Sequence, residues 1–256
     1  MSTAIHPNAH VDTSARLGID VKVGPFAVIG GDSEVGDNTE IMGHVQILAG
    51  TRFGSGCRVH HGAVVGGAPQ DISYTGGGGG VAVGDGAVLR EFVTVNRGTQ
   101  QDGTIVGSKA YLMAYCHVGH DGVVGDEVIL ANGVQLGGFA QVGDYASIGG
   151  MTPVHQFCRV GTHAFVGGGY RVVKDVPPYI LATGEPLGFA GLNVVGLRRR
   201  GFSAESRGQI KRAYRLIYRS GNNLSQALEA IRAEMGDVQP IQALLTFIEE
   251  AKRGII

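Results

Sequence analysis

An aliphatic residue recurs every six positions along most of this chain. The register runs from Ile5 through Val11, Leu17, Val23 and Ile29 to Val65, resumes in phase at Val83, Leu89 and Val95, and restarts at Val106 to continue to Val172. A second column, four residues after each aliphatic anchor, is small almost throughout, as at Ala15, Ala27, Ser33, Ala63, Ala87, Ala110, Ala140, Ala146 and Ala164. A helix cannot use a period of six. Short strands joined by turns can, with the anchor and the small residue both facing inward. Three hexapeptides then close one triangular coil of 18 residues, and stacked coils bury a continuous core while pairing each strand with those above and below. Nine or so coils between Ile5 and Val172 predict a prism roughly 45 Å long, a parallel β-helix. The many glycines are expected to supply its corners.

Two stretches interrupt the repeat: 66–82, which keeps the phase, and 96–105, which shifts it. Both are expected as loops leaving the prism, and the run Gly76 to Gly80 reads as a flexible linker, because no helical pattern follows it to make a phosphate cradle. The repeat is expected to stop at the Asp175 to Tyr179 segment (DVPPY). From Phe202 the pattern turns helical, with Ile210, Tyr214, Leu216 and Ile217 at helical spacing. Asn223 is placed to cap a second helix ending at Gly236, and Pro240 to open a third. The organisation predicted is a β-helix over 1–190 and a C-terminal α-helical domain over 191–256.

Composition narrows the class. Gly makes up 44 of 256 residues, against a usual share of about 7%, as an architecture of many tight turns requires. Net charge is −1 with both signs interspersed, so the whole molecule has no bias toward nucleic acid or an anionic membrane. No apolar run approaches the roughly 20 residues of a membrane span, and the N-terminus lacks a basic segment followed by an apolar one. A cytoplasmic protein is expected. Cys57, Cys116 and Cys158 form no CxxC pair and all fall in the small-residue column, where they read as interior fillers in a reducing compartment.

The 18-residue coil also makes a spatial prediction, because residues 18 apart occupy equivalent places on adjacent coils. His120, Gly138 and Gln156 each lie two residues after an anchor and should stack on one face. A histidine there can accept a proton from an attacking hydroxyl or amine, Asp121 can orient its ring, and Gly138 leaves backbone N–H groups unshielded for an oxyanion. On pattern alone the alternative stands that His117, His120 and His155 are corner residues bonded to backbone carbonyls. A histidine-bound zinc is a third possibility, although spacing marks out no third ligand. Arg198, Arg199 and Arg200 form a basic cluster, and Arg207, Lys211, Arg215 and Arg219 fall four apart along one helix face. That stripe reads equally as a solvated face or as a surface for an acidic or phosphate-bearing partner.

Several segments resemble the UDP-N-acetylglucosamine O-acyltransferases that begin lipid A synthesis. They are Gly66 to Tyr74 (GGAPQDISY), His117 to Gly125 (HVGHDGVVG), Ile148 to Phe157 (IGGMTPVHQF), DVPPY, Arg199 to Ser203 (RRGFS) and Tyr214 to Gly221 (YRLIYRSG). The resemblance implies a left-handed β-helix and a homotrimer with active sites between subunits. It further implies transfer of an (R)-3-hydroxyacyl chain from acyl carrier protein to the sugar's 3-position, with no cofactor beyond the carrier thioester. Carried over position by position, His120 matches the general base, Asp121 its partner and Gly138 the oxyanion residue. Gln70, Asp71, His117, His155 and Gln156 match substrate contacts, and Asn193, Arg199 and Arg200 the nucleotide end. Gly168 matches the position that limits acyl length, with Tyr170 a bulky neighbour in the small column, and the basic stripe of Arg207, Lys211, Arg215 and Arg219 suits the acidic carrier. Ser73, Asn96, Phe139 and Val195 depart from a lysine, two histidines and a glutamate in the family pattern. Those departures keep open an alternative in which a 3-amino UDP-sugar is N-acylated. From other classes, a zinc-dependent hydratase and a non-catalytic solenoid remain.

Overall fold

Each hexapeptide contributes one strand of two to four residues, and strands three repeats apart pair in parallel with anchor opposite anchor: Ile5 on Val23, Val23 on Ile41, Ile41 on Val59. A computed structural model describes residues 3–256. It resolves the repeat into three sheets of eleven, eight and eight strands wrapped as the faces of one prism, a left-handed parallel β-helix. Anchors such as Ile29, Leu89, Val118 and Leu136 are fully buried, as are Ala27, Ala63, Cys57, Cys116 and Cys158 of the small column. Each such anchor contributes about 1.5–3 kcal/mol by leaving water.

The insertions follow the arithmetic of the repeat. Val59 pairs with Leu89, thirty positions on, so the first insertion adds two whole hexapeptides and the phase survives. Leu89 pairs with Leu112, twenty-three on, so the second adds five and shifts it. Both loops are shorter than expected, because Val64–Gly67, Val81–Val83, Thr94–Asn96 and Thr104–Val106 are strands, leaving 68–80 and 97–103 outside the coil.

Three expectations are corrected. The run Gly76 to Gly80 is no flexible linker: Gly79 N–H donates to Gln100 O (2.6 Å), and Gly79 O and Gly80 O accept from Gly98 and Thr104 (both 3.1 Å). A Cβ on Gly78 or Gly79 would lie 2.2 or 2.4 Å from carbonyl oxygens of the 97–103 loop, so glycine is what lets the two backbones touch. The coil does not stop at Val172. It closes one more turn through the bridges Val154 to Val172 and Val160 to Val176 and the pairing of Val166 with Ala182, because Val176 serves as an anchor inside DVPPY. Nor do glycines make most corners: the left-handed corner position, three after each anchor, is held by non-glycine residues such as Asp32 (φ 53°), Asp121 (φ 56°) and Tyr145 (φ 61°). Glycine is required instead at several of the places directly after the anchor, where the next coil passes close overhead, although Met42, His60 and Ala131 hold that place on other coils. A Cβ on Gly143 would meet Thr162 N at 2.7 Å, and one on Gly24 would meet Gly43 N at the same distance.

After Ile180–Thr183 the chain reverses into the antiparallel strand Gly188–Leu192, within which the expected boundary at 190/191 falls. The hairpin and a short helix, α1 (Val194–Arg199), were not legible in the six-residue pattern. Helices α2 (Ala204–Arg219), α3 (Leu224–Met235) and α4 (Gln239–Glu249) follow, α3 opening on an Asn223–Gln226 capping box and α4 with Pro240 in its first turn. They dock on the last coils. The Tyr214 hydroxyl donates to Pro178 O (2.5 Å), and Arg159 joins the buried Asp175 to Glu250 while lying 4.3 Å over the Phe247 ring.

If close approach is what selects these glycines, Gly143→Ala lowers stability by about 1–3 kcal/mol. Gly208→Ala, on the exposed middle of α2 with nothing within 4 Å of its Cβ, raises it by about 0.5–1 kcal/mol. Thermal melts of the two variants check this, and a reversed order contradicts it.

Candidate active site

The corner that follows the second face gathers most of the polar side chains singled out above. Both loops leave the prism there, after Gly67 and after Asn96, and the next coils bring His117 to Asp121, then Gly138, then His155 and Gln156 to the same edge. His120 Nδ1 lies 2.8 Å from Asp121 Oδ2. The Asp121 carboxylate is nearly buried and also accepts from Thr99 N–H (3.0 Å), the Thr99 hydroxyl (2.7 Å) and Gln100 N–H (2.8 Å). Burial pushes this carboxyl toward its neutral form, but those hydrogen bonds from His120, Thr99 and Gln100 outweigh it and hold the pKa below the usual range. An ionised carboxylate only accepts, so Nδ1 carries the ring proton and Nε2 presents a lone pair.

That lone pair faces Gly138. A Cβ there would stand 2.5 Å from His120 Nε2 and 2.7 Å from Cε1, so any side chain would displace the ring. Phe139, on the same corner, meets the imidazole edge to face at 5.3 Å and stacks on Phe157 at 4.9 Å. The Gly138 N–H belongs to a repeated series. At the corner after the third face, the N–H two residues past the anchor binds a carboxylate from the coil above: Ile19 to Asp37 Oδ1 (2.7 Å), Ser55 to Asp85 Oδ1 (2.7 Å), Ser108 to Asp126 Oδ1 (2.6 Å) and Asp126 to Asp144 Oδ1 (2.9 Å). At Gly138, on the corner after the second face, the corresponding N–H has no acceptor among the described residues, as at His120, Gln156 and Asp144 on theirs.

The surrounding groups divide. His117 is bonded through Nδ1 to Thr94 Oγ1 (2.8 Å), and burial, then the charge of His120, lowers its pKa. His155 Nδ1 meets Gln156 O (2.9 Å), the carbonyl-bonded arrangement that pattern alone allowed, while Gln156 and Gln70 are exposed. Asp71 accepts from Ser73 N–H and hydroxyl, which depress its pKa, and it feels the charge of His120. Thr99, Gln100 and Thr104 were missed in the sequence. Allowing for the five-residue shift, Val95 is the coil before Val118, and that reckoning would have put them on the histidine's corner. Among the described residues no group of three or more His, Cys, Asp or Glu stands where it could hold a metal ion.

Asn193, Arg199 and Arg200 are not brought to this corner. They line a separate cavity of about 640 Å³ with Glu127, Tyr145 and His163. There Arg200 pairs with Glu127 and lies 4.5 Å over the Tyr145 ring, which stacks on His163 at 4.7 Å. Gly168 and Tyr170 sit on the remaining corner, where the Tyr170 ring folds over Gly167 instead of entering the core. On α2, Lys211, Arg215 and Arg219 are exposed beside a groove reaching Phe189 and Leu192, while Arg207 is turned back onto Phe202 O. Burial, then Arg200, lowers the His163 pKa from 6.5 to about 4. A histidine depressed in the folded state supports stability fully above pH 6.5 and loses that support as pH falls toward 4. His163→Gln should therefore lose less stability than the parent between pH 7 and pH 5 in denaturant titrations.

Several known proteins share this sequence pattern over nearly the whole chain. The family model for UDP N-acetylglucosamine O-acyltransferase, domain 2, matches residues 175–256. The chain is 48% identical to the acyl-(acyl-carrier-protein)-UDP-N-acetylglucosamine O-acyltransferase of Thiobacillus denitrificans over 254 residues, 98% of each chain, and 49% identical to that of Halorhodospira halophila over 256 residues, 99% of each. Among solved structures, the UDP-N-acetylglucosamine acyltransferase of Bacteroides fragilis superposes with a TM-score of 0.95 at 42% identity, covering 98% of this chain and 99% of that one. That of Francisella novicida gives 0.95 at 37%, covering 98% and 93%. With near-complete coverage at this identity, the chain belongs to the UDP-N-acetylglucosamine O-acyltransferase family.

Proposed function

We propose that this enzyme moves an (R)-3-hydroxyacyl chain from the thioester of acyl carrier protein to the 3-hydroxyl of UDP-N-acetylglucosamine, the first step of lipid A biosynthesis. The observation that carries the mechanism is the juxtaposition of His120 Nε2 with Gly138. Nε2 takes the proton of the sugar hydroxyl as its oxygen attacks the thioester carbonyl. The carbonyl oxygen gathers negative charge against the unpaired Gly138 N–H; at another corner of the prism, the N–H in the corresponding place two past the anchor binds a carboxylate oxygen on four coils. Collapse forms the ester, breaks the carbon–sulfur bond and returns the proton from Nε2 to the carrier's sulfur. Asp121 keeps the ring in the required tautomer and steadies its charged form. The thioester is already activated, so the reading requires no cofactor.

A hydroxyl needs this base more than an amine would, and the relatives are O-acyltransferases. Both considerations favour ester over amide formation despite Ser73, Asn96, Phe139 and Val195. The same relatives weigh against a hydratase or an inert solenoid. The homotrimer remains a proposal, supported by the separation of Asn193, Arg199 and Arg200 from His120 within one chain: a second copy has to supply the nucleotide end if they serve one substrate. Acyl-length control by Gly168 and Tyr170, which lie on a third corner, requires the same. No helix among the described residues is long and apolar enough to cross a membrane, and three buried, unpaired thiols support a reducing compartment such as the cytoplasm. For carrier docking, the exposed Lys211, Arg215 and Arg219 are the supporting feature.

His120→Ala should lower kcat by about 10²–10⁴-fold, and Gly138→Ala by about 10² or more, with the folded state intact by thermal melt. Near-full turnover of His120→Ala on carrier-bound acyl donor would falsify the base assignment. For the basic stripe, Lys211→Glu with Arg215→Glu should raise KM for the acyl carrier about tenfold at low salt and leave KM for the sugar nucleotide unchanged, the difference narrowing as salt screens the contact.

A further inference from the structure

We propose that Thr99 is a positioning residue for acyl transfer: its hydroxyl and backbone N–H clamp the Asp121 carboxylate against His120 Nδ1, and Gly78 and Gly79 seat the loop that carries it. The proposal rests on His120 being the base. Asp121 sits in the left-handed region (φ 56°) on a corner, and its side chain is nearly buried beneath the 97–103 loop. One neighbouring segment supplies the hold. Oδ2 receives the Thr99 hydroxyl at 2.7 Å, Thr99 N–H at 3.0 Å and the imidazole at 2.8 Å; Oδ1 receives Gln100 N–H at 2.8 Å; and Asp121 N–H donates to Thr104 Oγ1 at 2.9 Å. With three donors converging on Oδ2, the direction from which His120 approaches is fixed by Thr99.

The clamp is itself braced. Arg97 N–H reaches Gly67 O (2.8 Å), Gly98 N–H reaches Gly79 O, Gly79 N–H reaches Gln100 O, and Thr104 N–H reaches Gly80 O. The space is closed on every side: a Cβ on Gly98 would meet Asp121 Oδ1 at 2.7 Å, and one on Gly79 would meet Gln101 O at 2.4 Å and Gly103 N at 2.6 Å. The bracing loop, 68–80, also carries Gln70 and Asp71, assigned above to the substrate. The two loops are joined backbone to backbone at Gly79 and Gly80, and Gln100, which accepts from Gly79, in turn donates to Asp121.

The charged and titratable groups acting on His120 are Asp121 on its own corner, Asp71 on the first loop and His117 on the preceding strand. Removing the Thr99 hydroxyl takes one of the three donors from Asp121 Oδ2 and leaves its charge shared among fewer groups, which alters its hold on the neighbouring imidazole and with it the pH dependence of turnover. Steady-state kinetics across pH on the full-length enzyme test this. Thr99→Val should lower kcat about ten- to a hundredfold, the scale of a reacting group misplaced by ~1 Å, keep KM for UDP-N-acetylglucosamine within about threefold and move the acid limb of kcat/KM. Thr99→Ser should restore both. Thr99→Ala removes the same donor without the bulk of valine and reads identically if the valine variant does not fold. The clamp is overturned if the hydroxyl-free variants keep kcat within about threefold with an unmoved acid limb while Asp121→Asn is impaired, or if Thr99→Ser is as slow as Thr99→Val. Full turnover of Asp121→Asn would overturn the His120–Asp121 reading beneath it.

Discussion

Everything in this molecule depends on how closely one coil can lie on the next. Parallel strands stack at about 4.8 Å, and at each corner the backbone two residues past an anchor passes directly over the residue that follows the anchor below. Gly143 beneath Thr162, Gly24 beneath Gly43 and Gly119 beneath Gly138 leave no room for a Cβ. With that contact satisfied the anchors interlock and each strand takes its ladder. The repeat is therefore held by what is missing from the side-chain column as much as by the buried aliphatics within it.

The same stacking builds the functional edge. Because corners align from coil to coil, a loop inserted after Gly67, another after Asn96 and a histidine two past Val118 are neighbours although more than fifty residues separate the first from the last. The prism supplies the rigid spacing, the insertions supply the polar groups, and their glycines let two irregular backbones pack as tightly as regular strands do. A buried carboxylate held by four donors is the product. It gives His120 a defined tautomer and a negative partner, where the exposed corner histidine His155 has only the neutral carbonyl of the next residue.

Much of this was legible in the sequence because the repeat carries its own ruler. The anchors, the buried cysteines and the adjacency of His120, Gly138 and Gln156 followed from counting, and helices α2 to α4 from helical spacing and caps at Asn223 and Pro240. Counting failed where pairing is local or irregular. The hairpin Ile180–Leu192 and the six-residue helix α1 have no period to detect, and Val176 as an anchor was masked by the two prolines behind it. The Gly76 to Gly80 run looked like a linker because composition records flexibility in isolation and not the backbone pressed against it. Thr99 was hidden by a five-residue shift. Asn193, Arg199 and Arg200 were assigned to the same substrate as His120, and only the fold reveals that one chain holds them apart.

The series of backbone N–H groups two past each anchor has a wider consequence. Every turn of such a coil generates an outward anion receptor as a by-product of its geometry, and on four coils an aspartate from the turn above occupies it. Above Gly138, on a different corner, stands Gln156, whose side chain is uncharged. An acidic residue at position 156 would stand to the Gly138 N–H as Asp37 and Asp144 stand to theirs, and would compete there with the oxygen of an acyl group.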